Sequence, residues 1–528
     1  MSHPFRKILF VIPSYSHEVI DKYSLPTRVV PFGVLSLASY IKHYCPNIKC
    51  KILDFNTEGQ NIKEQHAILK SQIIKFQPDI IGLSIVFNAC LKHIAPFAEI
   101  IKRVDPNVIL VAGGIMATNM PKEVFSESPL IDALCFGEGE IPLRDLLDSK
   151  DPNSIFRDHP SWILRGSFEK GKYPSQSFVL DLDDIPPIDY SQVNGRKYTS
   201  QFRNKDGEDG FALPIHSTRG CPFGCIFCCS ATNHGKKIRY MSAQRFLADV
   251  ERMVREYKIT RLSIDDDQFL FHRERAKEIL RGLSRLGIEL EMANGLTVRF
   301  INDEIAALLK KAGLKIAVLA IESGSPRVLH EIIGKPLNLD QVPPAAVALR
   351  KQGLDIHAFF IIGFPGETPE DRQLTRKLIL STGFDWSGIF IATPFRGSRL
   401  FELCREKGYL PNDITDLNIY QCRITAPGID PQIITREAYL LNLDVNFVNN
   451  YNLSHDLFKK AVNYFSGITE RYPQHAFAHY FLAKAMEGIP DSDHYSIQEH
   501  YKCFKDIVSS DKDWRDYANH FNVPNVMD

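Results

Sequence analysis

Over the first 150 residues, apolar positions fall into short runs separated by stripes at helical spacing. The runs cover residues 8–12, 51–55, 80–86, 108–112 and 133–136, and several are flanked by Pro or Gly. Between them, groups such as Val34, Leu35, Ala38 and Ile41 lie on one helical face. Strand–helix alternation of this kind predicts a doubly wound, Rossmann-like parallel sheet. Ligands of such sheets sit beyond the carboxyl ends of the strands.

The rhythm lapses over 151–210, where the acidic, proline-interrupted stretch 181–189 reads as a linker. It returns over 211–430, with strand runs at 213–217, 261–264, 289–293, 317–321, 358–362 and 388–393. Ser242 and Asn302 stand as helix N-caps, Asp303 and Glu304 fill a positive first turn, and Gly313 marks a stop. Thr368-Pro369-Glu370-Asp371 places a cap, then proline, then an acid at the third helical position. Six strand–helix units are too few for an eight-fold barrel and predict a partial (β/α)6 barrel, open on one side. From 431 to 528 no strand run appears. Ala461, Phe465 and Ile468, then Tyr472-Pro473, then Ala476, Ala478, Tyr480 and Ala483 predict a helix–turn–helix pair. A weaker copy runs from Tyr501, Phe504 and Ile507 to Trp514 and Tyr517, and the whole resembles a degenerate tetratricopeptide pair. Such a helical tail serves either as a cap on the preceding domain or as a docking site for a protein partner.

Charge and composition alter this picture little. Lys plus Arg equals Asp plus Glu at 63 each, so no net charge draws the chain to nucleic acid or an anionic membrane. No run reaches the roughly 18–20 apolar residues of a membrane span. The opening 7–13 reads as a buried strand and not as a signal peptide, so a cytoplasmic protein is expected. Seven of the eleven cysteines are scattered, which fits reduced core residues in a chain too large and too cysteine-poor for a disulfide framework.

The other four cysteines carry chemistry. They stand in Thr218-Arg-Gly-Cys221-Pro-Phe-Gly-Cys225-Ile-Phe-Cys228-Cys229, a tight loop after a strand. Structural zinc is closed by four ligands, usually two separated pairs, and no second Cys or His pair stands elsewhere. Cys229 directly follows Cys228, so its side chain should point away from a metal held by Cys228. Iron–sulfur clusters prefer thiolates, and three thiolates on a [4Fe–4S] cube leave one iron open for chemistry.

This Cys-x₃-Cys-x₂-Cys loop after a first barrel strand closely resembles the radical S-adenosylmethionine (SAM) family. The resemblance implies Cys221, Cys225 and Cys228 as cluster ligands, with the open iron chelating the amino and carboxylate groups of SAM. Reductive cleavage of SAM then yields a 5′-deoxyadenosyl radical, and an electron donor such as flavodoxin or ferredoxin is implied. Phe227 matches the aromatic position near the adenine. Glu322, in Glu322-Ser323-Gly324, matches a residue that accepts hydrogen bonds from the ribose, and Gly363 and Gly366 match the adenine-contacting strand end. Read without the resemblance, these segments are a helix N-cap cluster and a glycine turn. Asp266-Asp267-Gln268-Phe269 resembles a further family segment. Arg239, Arg299 and Arg396 are candidates to meet carboxylates or phosphates, or are ordinary salt-bridge partners.

Upstream, the strand ending at Ser84, then Gly113-Gly114 with Thr118, then Gly137-Glu138-Gly139-Glu140 each follow a predicted strand. Alone, such glycines are ordinary α/β turns. In this order before a radical SAM core they resemble the cobalamin-binding domain of class B radical SAM enzymes, which implies Ser84, Gly113, Gly114, Thr118, Gly137, Glu138 and Gly139 as cobalamin contacts. The Asp-x-His-x-x-Gly motif that supplies an axial histidine elsewhere is missing, and His17 has the wrong neighbours and reads as a loop histidine. The expected domains are a cobalamin-binding domain at 1–150, a linker at 151–210, a radical SAM core at 211–430 and the helical tail at 431–528.

The combination implies methylation of an unactivated carbon, or of phosphorus, in a small-molecule substrate. The radical removes hydrogen and methylcobalamin donates the methyl group. Other cobalamin-dependent radical outcomes, such as oxidative cyclisation or rearrangement, share the architecture. Methylthiotransferases carry three further N-terminal cysteines, and Cys45, Cys50 and Cys90 do not stand in those contexts. A non-catalytic cluster- or cobalamin-binding sensor remains the reading from a different class.

Overall fold

The computed structural model describes residues 5–15, 29–59, 61–167, 173–198, 211–412 and 417–524. His17 lies outside them. The first sheet has the order β2-β1-β3-β4-β5-β6, where β1 is Lys7–Ile12, β2 Lys49–Asp54, β3 Ile80–Ser84, β4 Ile109–Gly113, β5 Ala133–Cys135 and β6 Trp162–Ile163. The first five are parallel and β6 is antiparallel. Side chains alternate across a strand, so β1 sends Leu9 and Val11 to one face and Ile8, Phe10 and Ile12 to the other. Phe97 and Ile101 of the helix Ile94–Val104 share the first core. The helices Phe32–Tyr44 and Glu140–Asp148 contribute Ile41 and Leu146 to the second. The strand order reverses between β1 and β3, which opens a crevice at their carboxyl ends.

Part of 151–210, expected as a linker, is integral to the fold. Trp162 of β6 packs edge-on against Phe156 at 5.2 Å and donates its indole N–H to the Pro142 carbonyl at 3.3 Å. Further on, Leu182, Ile185, Ile188 and Tyr190 join the core of the following domain, and Arg245 reaches the carbonyls of Asp183 and Ile185 at 2.8 and 2.7 Å. Four apolar side chains set among prolines and aspartates bury themselves here without any helical or strand period, so pattern alone does not reveal them.

The second unit begins with β7 (Ala212–Ile215) and the short antiparallel pair β8 (Thr218–Arg219) and β9 (Arg239–Tyr240). It continues with β10 (Arg261–Ile264), β11 (Glu289–Glu291), β12 (Ile316–Glu322), β13 (Asp355–Ile362) and β14 (Trp386–Ile391). The parallel sets β11-β10-β7 and β12-β13-β14 are joined by single bridges, Leu290 to Leu314 and Leu296 to Leu319. The result is six parallel strands of a partial barrel. Its helices start where the caps stand. Asn302 accepts from the Ile305 N–H at 2.9 Å, and Thr368 and Asp371 form a reciprocal capping box.

Helices Phe458–Arg471, Ala476–Glu487, His494–Ser510 and Lys512–His520 make the tail, sealed by Phe465, Phe477 and Phe504. Lys460 fastens it beneath the barrel, 2.8 Å from Asp355 and 2.5 Å from the buried Asp385. No helix among the described residues is long and apolar enough to cross a membrane.

Candidate active site

The cysteine loop leaves β7 through Ser217 and is held from three sides. Asp266, buried after β10, accepts the Ser217 and Thr218 N–H groups at 2.5 and 3.0 Å. Burial raises its carboxyl to about 6, with these hydrogen bonds opposing. The Ile226 N–H donates to the Ile333 carbonyl at 2.8 Å, and the Leu400 N–H to the Ile226 carbonyl at 2.7 Å. Gln268 donates to the Cys221 sulfur at 3.5 Å, and the Ser230 N–H to the Cys228 sulfur at 3.4 Å. Asp267 accepts from the Ser230 hydroxyl at 3.1 Å. The segment 266–268 thus supports the loop residue by residue. Sequence reading noted it without a role, and nothing but its place after a strand pointed to one.

Cys221, Cys225 and Cys229 all lie close enough to Cys228 to feel its charge, and Cys229 gives its thiol to the Arg396 carbonyl at 3.5 Å. Burial pushes the Cys225 thiol up to about 12, with the Lys335 ammonium opposing. The described residues hold no group of three His, Cys, Asp or Glu close enough for a single ion. A cube asks for something different, because each thiolate binds its own iron. Donors at two sulfurs and an ammonium near the third suit anionic ligands. On these grounds the loop fits a [4Fe–4S] cluster.

Four other expected residues gather around this loop. Phe227 lies 6.2 Å from Phe364, ring centre to ring centre. Glu322 ends β12 in the left-handed region at φ 75°, a conformation that costs a non-glycine residue about 1–3 kcal/mol. Its carboxylate pairs with Lys335 at 2.9 Å, so a ligand there would meet the pair and not a free acid. Gly363 has φ +87°, and a Cβ on it would come within 2.6 Å of Ile434 in the tail. Packing against the tail therefore accounts for this glycine. Gly366 has more room, its nearest neighbour to a Cβ being Ile332 at 3.8 Å.

At the carboxyl edge of the first sheet lies an open cleft of about 360 Å³. Ser84, Gly113, Gly114, Thr118, Gly137, Glu138 and Gly139 all line it. Opposite them stand His216, Arg219, Asn233 and His234 of the barrel unit, so the cleft lies between the two units. It deepens into an apolar slot beside Phe10, Gly82, Val111 and Leu37. A Cβ on Gly33, another lining residue, would meet no protein atom within 4 Å. The barrel-side residues and Gly33 escaped sequence reading, since nothing in their local pattern marks them. Burial holds the His216 imidazole neutral, down to about 3, with Arg219 and His234 adding to the effect. A cleft that opens to solvent, apolar along its floor and polar at its glycine-lined rim, suits the flat, largely apolar face of a corrin.

Glu138 does more than line the cleft. It takes Arg239 at 2.6 and 2.8 Å, Arg219 at 3.1 Å and His234 at 2.9 Å. Arg219 also binds Glu140 at 2.9 Å, which accepts from Ser36 at 2.9 Å. Burial works to raise the Glu138 carboxyl, but Arg219 and its partners outweigh it and hold it well below the usual range. Both carboxylate oxygens are thus committed, which leaves the backbone of Glu138 to face a ligand. Arg396 pairs with Glu123 of the first unit, and Arg299 is exposed over Phe300.

Residues 215–379 match the Radical SAM superfamily and residues 22–147 the B12 binding domain. An uncharacterised methyltransferase of Pyrococcus horikoshii is 32% identical over 75% of this chain and 82% of its own length. The cytidylyl-2-hydroxyethylphosphonate methyltransferase of Streptomyces wedmorensis is 27% identical over 84% of this chain and 90% of its own. The radical SAM methyltransferase TsrM from Kitasatospora setae, solved with cobalamin and a [4Fe–4S] cluster, shares the fold at a TM-score of 0.62 and 14% identity, over 96% of this chain and 99% of that one.

Proposed function

Because the chain belongs to the cobalamin-dependent radical SAM enzymes, we infer that it is a methyltransferase and propose that it acts on an unactivated carbon, or on phosphorus, of a small molecule. The observation that carries the reading is an ion-pair link: Glu138 of the glycine-lined cleft binds Arg219 and Arg239, which flank the three-cysteine loop of the barrel. When bound, the cluster with SAM supplies a hydrogen-abstracting 5′-deoxyadenosyl radical, and cobalamin supplies the methyl group.

The chain's part is to bind, orient and exclude water. In this reading Cys221, Cys225 and Cys228 hold the cluster, with Gln268 and Ser230 steadying two of the sulfurs. Phe227, Gly363 and Gly366 flank the adenine, and Glu322 exchanges part of its bond to Lys335 for the ribose. The backbones of Gly113, Gly114 and Gly137–Gly139, with Ser84 and Thr118, cradle the corrin. No acid–base pair is needed for hydrogen abstraction. In this reading the cobalamin-binding domain runs on through β6 at Trp162–Ile163, the radical SAM core takes in Leu182 to Tyr190 and extends to 430, and the tail at 431–528, similar to a tetratricopeptide pair, offers a face to a protein partner. A cytoplasmic setting suits oxygen-sensitive groups fed by a flavodoxin or ferredoxin. The phosphonate nucleotide named for the Streptomyces relative makes phosphonate-bearing small molecules the first substrates to try.

The test is anaerobic turnover with SAM carrying a deuterated methyl group. A product heavier by one labelled methyl is expected, together with 5′-deoxyadenosine. Conversion without methyl gain would sink methylation, and absence of 5′-deoxyadenosine with every candidate would sink the enzymatic reading.

A further inference from the structure

The parallel strands of the barrel unit divide their side chains between two faces. Leu262 of β10, Leu319 of β12 and Phe360 of β13 are buried in one core with helix residues such as Ile305. Their alternate neighbours face the lumen. In a barrel filled by its own side chains these inward positions would be as buried as the others. Here Ser263, Asp265, Ala320, Phe359 and Phe390 are all half-buried. The side chains therefore leave the lumen unfilled toward the carboxyl ends of the strands.

The two sides of the lumen differ in chemistry. On the β10–β11 side Arg261 is answered by Glu289 at 3.0 Å and Glu291 at 2.8 Å. Asp265, just past the end of β10, has no such answer. Among the described residues its carboxylate takes the Ser263 hydroxyl at 2.5 Å and no cation. Burial raises the carboxyl, and Ser263 alone opposes. A half-buried carboxylate with one oxygen uncommitted calls for a donor from outside the chain. The β13–β14 side is aromatic. Phe359 and Phe390 meet edge to face at 5.3 Å between ring centres, and the exposed Tyr420 lies 6.4 Å beyond Phe390. Gly388 makes room for them, since a Cβ there would come within 2.9 Å of Phe359 and 3.0 Å of Phe390. Between the two sides stands the small Ala320 of β12.

We propose that this lumen is the subsite for a planar nitrogen heterocycle of the substrate, whose exocyclic amine donates to Asp265 while its ring lies against Phe359 and Phe390. The inference rests on the reading of the chain as a small-molecule methyltransferase and names the part of the substrate that the barrel holds. A carboxylate selects an N–H donor over a carbonyl, because a carbonyl would leave the buried acid unpaired and repelled. An aromatic wall selects a flat ring over an aliphatic chain. The adenine of SAM is expected elsewhere, at Phe227, Gly363 and Gly366, whereas Asp265 ends a strand three places from β13 in the barrel order. A ring held here leaves the rest of the substrate at the mouth of the barrel, so that binding at a remote group orients the atom to be methylated.

The experiment measures, by calorimetry, binding of cytidine 5′-monophosphate and uridine 5′-monophosphate to the reconstituted, oxidised protein with SAM saturating. The two probes differ at the ring edge, where cytosine offers an amine and uracil a carbonyl. The unaltered protein should bind the cytidine nucleotide about tenfold or more tightly than the uridine nucleotide. Asp265→Asn, whose amide both donates and accepts, should bring the two within about threefold and keep its iron. Phe390→Leu should weaken both nucleotides and leave their ratio unchanged. Equal binding of the two by the unaltered protein would overturn the proposal, and so would an undiminished ratio in Asp265→Asn. Binding of neither nucleotide, or binding only when SAM is left out, would also overturn it, the latter by giving the lumen to the adenine of SAM. Methyl transfer from deuterated SAM reports on the proposed function separately, since nucleotide binding needs no reductant.

Discussion

Cys229 sits beside a cluster-loop cysteine in sequence yet turns to the Arg396 carbonyl, which divides four neighbouring thiols into three and one. Alanine at Cys221, Cys225 or Cys228 should each remove the cluster and all SAM cleavage. Cys229→Ala should keep both, and loss of iron from that variant alone would overturn the ligand set. Glu367 gives a second test at this scale. Burial raises its carboxyl to about 7, with the Gly363 N–H and the Arg372 charge opposing only in part. A carboxyl whose folded value exceeds the unfolded one, about 4.3, favours folding when protonated. That contribution is full below the unfolded value and is lost as pH rises through about 7. Melting temperature should therefore fall between about pH 4 and 7 and level off above, and Glu367→Gln should flatten the fall. An undiminished slope in that variant would assign the pH dependence to another group.

Two glycines of the cleft separate the needs of an element from those of a ligand. Gly114 follows β4 at φ +97°, where a Cβ would stand 2.8 Å from the Ile85 carbonyl oxygen. Gly114→Ala should cost about 1–3 kcal/mol of folding stability by urea denaturation. Gly33 opens the helix Phe32–Tyr44, and a Cβ there meets nothing. Gly33→Leu should therefore fold with at least unaltered stability but bind cobalamin more weakly, and equal affinity would show that the corrin does not approach that helix. The same contrast explains what was legible. The strands show in the sequence because each fills itself with apolar residues at one period, and the cysteine loop shows because its ligands lie within eight positions. The ion pair of Glu138 with Arg239, 101 positions away, is a pairing that no local pattern encodes. The segment holding Leu182 and Ile185 reads as a linker because its buried residues follow no period.

At the scale of the molecule, the sheet and the barrel meet through buried carboxylates, of which Glu138 takes the most partners. Glu138 is bound on one side by the sheet and on the other by Arg219 and Arg239, the two arms of the β8–β9 pair that brackets the cysteine loop. Glu138→Gln leaves a buried guanidinium without its charge partner, a change of about 3–5 kcal/mol where such pairs are broken. The variant should keep its iron and still form 5′-deoxyadenosine, while methylated product per 5′-deoxyadenosine falls by an order of magnitude or more. An unchanged ratio would show that the bridge does not set the placement of the two sites.

Arg219 stands two residues before Cys221 and grips the acid that borders the corrin cleft. A contact shared by two binding sites couples their occupancies, and thermodynamic linkage makes the coupling reciprocal. If loading the iron site tightens retention of the corrin by some factor, loading the corrin must tighten retention of iron by the same factor. Iron content after chelator challenge should thus rise with added cobalamin in the unaltered protein and lose that dependence in Glu138→Gln, so that maturation of this enzyme is a mutual stabilisation in which neither group need arrive first.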